Sequence, residues 1–396
     1  MDRQGPLTNL RVVDAGTTLA GPMAGTLLAD LGADVIKIEH PKGGDSLRSW
    51  GPFKREESLW WKVTARNKKL ITLDLSCEEG QELFRTLIGR VDVVIENFRP
   101  GTFERWSLGP VTLFALNPSL VLVRISGFGQ EGPYRSQPGY GTIAEALTGI
   151  PYFTGFADAA PTFSAFPLAD AVAALFAAIG ALAAVSNPSA RGQVVDVSLF
   201  EPLFRLVESQ VIGYQQLGIV KERAGNRLAE DAPRNAYQTR DGGWIAISAS
   251  SDRTFHRLCR AIGRSDLIED ERFSSNRARV RNNDELDKII DGWMHGRSRD
   301  EAMARLEEFD VVAGPVLNIG EIFEHPLFTA RDAIVSASDE LLGVLAMPGV
   351  VPRFSNTPGA VRFPGGRLGR DNRNFYCDEL GMSEAEFQEL AARGVI

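Results

Sequence analysis

One stretch of about thirty residues constrains the fold more than any other. Leu10-Arg-Val-Val-Asp14 is a short β-branched run that ends in the small pair Ala15-Gly16. Gly21 to Leu31 then reads as a helix, with Pro22 in its first turn, where a missing N–H leaves no bond unmade. Gly32 stops that helix, and Ala33-Asp-Val-Ile-Lys-Ile-Glu39 returns as a strand. Two strands joined by a helix must run parallel, and a parallel sheet needs both faces covered, so the chain is expected to be α/β.

The rhythm repeats. Leu70 to Leu75 reads as a strand, Cys77 to Gly89 as a helix opened by Ser76 as N-cap, and Val91 to Glu96 and Leu120 to Ser126 as further strands. The first 200 residues therefore predict a Rossmann-like sheet. Near residue 220 the sequence turns polar, through Ala224-Gly-Asn-Arg-Leu-Ala-Glu-Asp-Ala-Pro233, which suits a linker. Arg240-Asp-Gly-Gly243 between two β-like runs predicts a hairpin, and helices follow to about residue 308. The last seventy residues are rich in Gly and Pro and close on a helix opened by Ser383. At 396 residues one core is too small, so a large and a small domain are expected. The expected division is 1–220 completed by 326–396 for the Rossmann-like domain, and 225–325 for a smaller α+β domain.

Charge and cysteines narrow the function classes. A net charge of −8 gives no basic face for nucleic acid. Three scattered cysteines, Cys77, Cys259 and Cys377, form no CxxC, which fits a reducing cytoplasm. The four histidines make no HExxH, so no metal site is expected. The N-terminal stretch carries no apolar signal core. Ala169 to Val185 is apolar but alanine-rich and short for a bilayer, so a buried helix is expected there, not a membrane span.

Familiar catalytic motifs are missing: no GxSxG, no P-loop, and a first βα turn that is not GxGxxG. Asp170 is the carboxylate that stands out. It opens the apolar alanine helix just after Pro167. By position it reads first as a helix N-cap. The same placement would keep it ionised, poorly solvated and nucleophilic, able to carry acyl groups covalently.

A series of short motifs decides between these readings: Leu19-Ala-Gly-Pro22, Leu31-Gly-Ala-Asp-Val-Ile-Lys-Ile-Glu39, Arg66-Asn-Lys-Lys69, Glu96-Asn-Phe-Arg-Pro-Gly101, Ser126-Gly-Phe-Gly-Gln-Glu-Gly-Pro133, Pro138-Gly-Tyr140 and Ala169-Asp170. In this order and spacing the chain resembles the class III CoA-transferases of the CaiB/BaiF type, nearly end to end. The resemblance implies an interlocked-ring homodimer and a nucleophilic Asp at Asp170. It implies coenzyme A and acyl-CoA as substrates, with no permanently bound cofactor. The carboxylate would pass through an acyl anhydride and an aspartyl-CoA thioester. The CoA-contacting positions of the family correspond to Leu19, Ala20, His40, Leu73, Asn97, Phe98 and Arg105, with adenine packed on Phe98 and Arg105 suited to phosphate. Read without the resemblance, Asn97 and Phe98 fit a loop turn with a core aromatic equally well.

Departures narrow the substrate. Formyl-CoA transferases carry a Gln where Leu19 stands and a glycine tetrad in the linker, and this chain has neither. His40 replaces an Arg, and Ser76 and Pro138 replace lysines, which points to Lys42 or Arg66 for the CoA phosphates. Gly141 stands where many relatives carry Asp, and Glu145 replaces a common Gln. The overall pattern is most similar to enzymes using succinyl-CoA and a dicarboxylic or branched acid. Tyr140 and Glu145 are then expected near the acceptor, and Arg227 or Arg234 against its distal carboxylate, or else as solvated loop charges. Racemases of 2-methylacyl-CoA esters share the fold, but their proton-shuttling His falls at Tyr140, whose ordinary pKa near 10 suits that task poorly. A non-catalytic CoA-ester-binding protein is the third reading.

Overall fold

The computed structural model describes residues 5–396. Residues 1–4, which belong to the expected large domain and to the N-terminal stretch read above, lie outside the described residues. The chain forms two compact units: Met1–Gly149, Ser164–Ile212 and Leu327–Ile396 make the larger, and Ile150–Phe163 with Gly213–Pro326 the smaller.

The larger unit is built on six parallel strands: β1 (Arg11–Asp14), β2 (Asp34–Glu39), β3 (Lys69–Thr72), β4 (Val93–Glu96), β5 (Val121–Ser126) and β6 (Gln193–Ser198). Their order across the sheet is β3-β2-β1-β4-β5-β6. Every residue of β4 and β5 is buried, as a sheet covered on both faces requires. Helix α1 (Ala20–Asp30) follows β1, with Pro22 in its first turn. Gly32 at φ +99° closes the turn into β2, a conformation that side chains resist. Helix α2 is Glu78–Ile88, and its N-cap is Cys77 without a side-chain bond. Ser76 does not cap it, because its hydroxyl turns back to Asp74 Oδ1 at 2.6 Å.

The core on one face joins Val13, Ile36, Ile71, Phe84, Leu87 and Val94 to Phe375, Tyr376, Leu390 and Ile396 from the C-terminal segment. Burying side chains of this size stabilises the fold by about 1.5–3 kcal/mol each. The same segment protects the open edge of β3. Leu70 N–H donates to Asp371 Oδ2 (2.6 Å) and Thr72 N–H to Asn372 Oδ1 (2.8 Å), so donors that would template another strand are occupied.

The other face carries α5 (Leu168–Ser186), introduced after the shorter α3 (Thr102–Arg105) and α4 (Gly141–Leu147). It packs against α1, β5 and β6. Buried Ala173, Ala177 and Ala181 and the bare Gly180, whose Cβ would strike Val195, let it lie close to the sheet. It is long and apolar enough to cross a membrane by length and composition, yet 44% of its most apolar 18-residue stretch is buried inside the protein.

The smaller unit has a three-stranded antiparallel sheet. Strands β7 (Arg234–Gln238) and β8 (Trp244–Ser248) form the expected hairpin, with Gly242 at φ +82° in its turn, and β9 (Ala313–Pro315) lies on the other side of β8. Helices at Asp252–Ala261, Asn283–His295 and Arg299–Glu308 complete it around Tyr237, Ile245, Phe255, Leu258 and Ile290.

Candidate active site

The strand order reverses between β1 and β4. In sheets of this kind ligands bind beyond the carboxyl ends of the strands at such a switch point. Here the loop after β1 (Ala15 to Leu19) meets the loop after β4. The Asn97 amide clamps the first loop at Thr17 with both of its groups: Thr17 N–H donates to its Oδ1 (2.6 Å), and its Nδ2 donates to Thr17 O (2.8 Å). Leu19 and Ala20, both buried, begin α1 just beyond this clamp. Asn97 thus holds the loop with one accepted and one donated hydrogen bond to Thr17.

Beneath the loop lie four buried charges, Asp14, Lys37, Asp45 and Lys68. Lys68 Nζ donates to Asp14 Oδ2 (2.9 Å) and Pro22 O (2.6 Å). Lys37 Nζ donates to Gly16 O and stands 3.1 Å from Asp45 Oδ2. Asp45 Oδ1 in turn accepts from Thr18 N–H at 2.9 Å, and Thr18 sits at the unfavourable φ of +65°. Burial by itself would discharge Lys37, but Asp14, Asp45 and Glu39 reverse that and raise its pKa, while Lys37 and two backbone N–H groups overcome the burial of Asp45 and lower its pKa. These pairs keep the strained loop in one shape.

A cavity of about 110 Å³ opens beside the clamp, and His40, Leu73 and Phe98 line it together with Ser76 and Trp106. Three of the expected CoA positions thus meet in one place, at the ends of β2, β3 and β4. The Phe98 ring stands edge-on to Trp106 with centroids 5.0 Å apart. Its backbone is fixed by Glu96, whose carboxylate accepts Phe98 N–H (2.7 Å) and the Arg124 guanidinium (2.6 Å). Burial pushes the Glu96 carboxyl up to about 7 against both partners. His40 is exposed, with Nδ1 3.0 Å from Lys42 N, and Lys42 is exposed beside it. Arg105 is exposed on α3, and among the described residues its side chain bonds to Thr102 Oγ1 within its own turn (2.9 Å). Arg66 does not suit the phosphate role, because it is buried and its guanidinium grips Asp30 (2.6 Å) and Pro348 O (2.8 Å).

Asp170 is not the N-cap. That position is Pro167, and Asp170 is the third residue of α5, in its first turn. Burial pushes the carboxyl up to about 6, and the hydrogen bond from its own backbone N–H offsets only part of that. Among the described residues no cation pairs with it and no side chain donates to it. A partly buried carboxylate in that condition is basic and free to react.

The acceptor-side candidates separate. Tyr140 precedes α4 with its ring exposed. Glu145 is buried on α4 and accepts Ser164 N–H at 2.8 Å, tying α4 to the segment before α5. Arg227 is held by Asp284 (2.6 Å) and Asp287 (2.5 Å), and Tyr237 donates to the same Asp287 (2.5 Å). Arg234 makes no ion pair among the described residues. It lines a groove of about 610 Å³ with Asn235, Ala236 and Ser248. The motif reading assigned no role to the buried lysines or to Gly141. Gly141 lies against Asp170, and only its departure from the family pattern marks it in the sequence. No group of three His, Cys, Asp or Glu side chains that could hold a metal occurs among the described residues.

A model of the family described as CoA-transferase family III matches residues 7–372. The chain is 45% identical over 394 residues to the succinyl-CoA–D-citramalate CoA-transferase of Chloroflexus aurantiacus, covering 99% of this chain and 98% of that one. It is 39% identical over 397 residues to the succinyl-CoA–L-malate CoA-transferase beta subunit of the same organism, with 99% and 98% covered. The crystal structure of a CAIB/BAIF family protein from Brucella suis superposes with a TM-score of 0.85 at 32% identity, covering 95% of this chain and 100% of that one.

Proposed function

This chain belongs to CoA-transferase family III and is a CoA-transferase, and from that premise we propose that it moves CoA from succinyl-CoA to a dicarboxylic acid with Asp170 as covalent relay. The observation that carries the relay is the unpaired, partly buried carboxylate in the first turn of α5. The substrate class rests on the names of the relatives, whose acceptors are D-citramalate and L-malate.

The chemistry balances without a proton. One oxygen of Asp170 attacks the thioester carbon of the donor, the C–S bond breaks, and an anhydride and CoA thiolate result. The thiolate attacks Cγ of Asp170, the bond from Cγ to the bridging oxygen breaks, and the donor acid leaves as carboxylate. The acceptor carboxylate then attacks the aspartyl thioester to give a second anhydride, releasing thiolate. Thiolate attack on the acceptor carbonyl restores Asp170 and yields the new acyl-CoA. Because every nucleophile must be an anion, Asp170 has to be ionised, and a raised pKa makes it the better attacker once it is.

The Phe98–Leu73–His40 cavity is the site we assign to the adenine end of CoA, with Lys42 and Arg105 toward its phosphates. Leu19, Ala20 and Asn97 form and hold the loop beside it. Arg234, the unpaired guanidinium, is our choice for the acceptor's distal carboxylate. We also propose a homodimer: α6 (Glu208–Leu217) buries none of its residues within one chain, and Ile212, Tyr214 and Leu217 are exposed. The three free thiols fit work in the cytoplasm. The test is Asp170→Asn with succinyl-CoA and a panel of dicarboxylic acids, with hydroxylamine trapping of the wild-type adduct. Turnover lost and the adduct located at Asp170 support the relay; normal turnover in the variant refutes it.

A further inference from the structure

Asp170 Oδ2 rests on the bare face of Gly141. A Cβ built on Gly141 would come within 3.0 Å of that oxygen, closer than side chains ever sit, while Asp170 Cγ would be 3.5 Å away and Ala169 Cβ 3.6 Å, both ordinary contacts. One atom therefore stands in the way of a side chain at 141, and it is one of the two oxygens the relay uses. The backbone φ of Gly141 lies outside the left-handed region, so conformation does not demand glycine there.

Gly141 cannot retreat from the carboxylate. Two residues upstream, Gly139 packs on the backbone of Gly127: a Cβ on either would lie 2.9 Å from the other's Cα. Four residues downstream, Glu145 ties α4 to Ser164 N–H. Helix α4 also packs along α5 itself. The segment 139–145 is thus pinned at both ends, and the carboxylate is the one partner in the contact that can rotate.

From this we infer that Gly141 is a positioning residue: its missing side chain seats Oδ2 and so sets the direction in which the other oxygen meets the thioester carbon. The inference rests on Asp170 being the nucleophile. A reacting atom displaced by about 1 Å loses roughly 10²-fold in rate even when substrate still binds.

The test is Gly141→Ala in the full-length enzyme. The expected result is a fall in kcat of about 10²-fold, with the KM for succinyl-CoA within about twofold and the melting temperature unchanged, since only a side-chain end has to move. Hydroxylamine trapping should show adduct formation at Asp170 slowed by the same factor as kcat. A kcat within twofold of wild type overturns the inference. So does a variant that loses melting temperature and CoA-ester binding together, because Gly141 would then serve the fold and not the carboxylate. Asp170→Asn, assayed alongside, separates the two ideas. If it turns over normally, the covalent reading falls; if it is inactive while Gly141→Ala is normal, only the seat falls.

Discussion

Replacing Asp170 with asparagine keeps the shape of the side chain and removes its charge, so it isolates what that charge does to the fold. Burial moves the carboxyl from 3.8 to about 6. At about 1.4 kcal/mol per unit, ionising it costs the folded state about 3 kcal/mol, and partial exposure trims this to roughly 1–3 kcal/mol. The folded pKa lies above the unfolded one, so the sign is opposite to that of a paired carboxylate. The penalty is absent below about pH 4, grows as pH rises from about 4 to 6, and is full above that. Asp170→Asn should therefore be more stable than wild type by about 1–3 kcal/mol near pH 8, by about half as much near pH 5, and no more stable near pH 3. Urea unfolding followed by tryptophan fluorescence, at one protein concentration throughout, reads these differences. A variant that is equally or less stable near pH 8, or a gap indifferent to pH, would refute the claim that Asp170 is held ionised against its surroundings. A gain in stability together with lost turnover is the signature expected where a fold carries strain for the sake of chemistry.

Three further outcomes follow from the same structure. The acid limb of kcat/KM should titrate near the Asp170 value of about 6, activity falling as pH drops through it; a limb near 4 would mean a carboxyl in an ordinary environment. Arg234→Ala should raise KM for a dicarboxylic acceptor roughly tenfold, equivalent to about 1.4 kcal/mol, while leaving KM for succinyl-CoA alone; equal effects on both would remove Arg234 from the acceptor site. Lys68→Met should cost about 3–5 kcal/mol in urea unfolding, because it strands buried Asp14 beside a lone Lys37, and a loss under about 1 kcal/mol would show that the cluster adjusts freely.

The parallel strands were legible because β-branched runs and glycine stops recur with the spacing of βαβ units, and five of the six strands fall where those runs predict. The sixth, Gln193–Ser198, was not, because half of Gln-Val-Val-Asp-Val-Ser is polar and it becomes a strand only by pairing with β5, some seventy residues earlier. The smaller unit's use of Ile150–Phe163 was hidden for the same reason: Gly155 bridges Gly225, and Tyr152 bonds Glu222 at 2.8 Å, across a long separation. Within the site, Phe98, Leu73 and His40 were expected only from the family resemblance, and their meeting in one cavity depends on strand order. Asp170 as N-cap was the expectation from its position, but the helix starts two residues earlier, at Leu168, with Pro167 as N-cap. Lys37 and Lys68 entered the sequence reading only as members of motifs, since sequence alone does not show that Asp14 and Asp45 lie beside them in the interior.

The four charges under the first βα turn also bear on how such a chain can change over evolutionary time. Asp14, Lys37, Asp45 and Lys68 sum to zero, and each has its neutralising partner inside the protein. Any single exchange leaves an odd charge out of water, so drift by single steps meets a barrier at each of these positions. The walls of the adjoining cavity, Leu73, Phe98 and Trp106, can be exchanged one at a time for side chains of similar bulk. Lineages of this chain should therefore diversify in what the cavity accepts while the loop above the charges stays in register, and a change in that loop should arrive as a paired exchange or not at all.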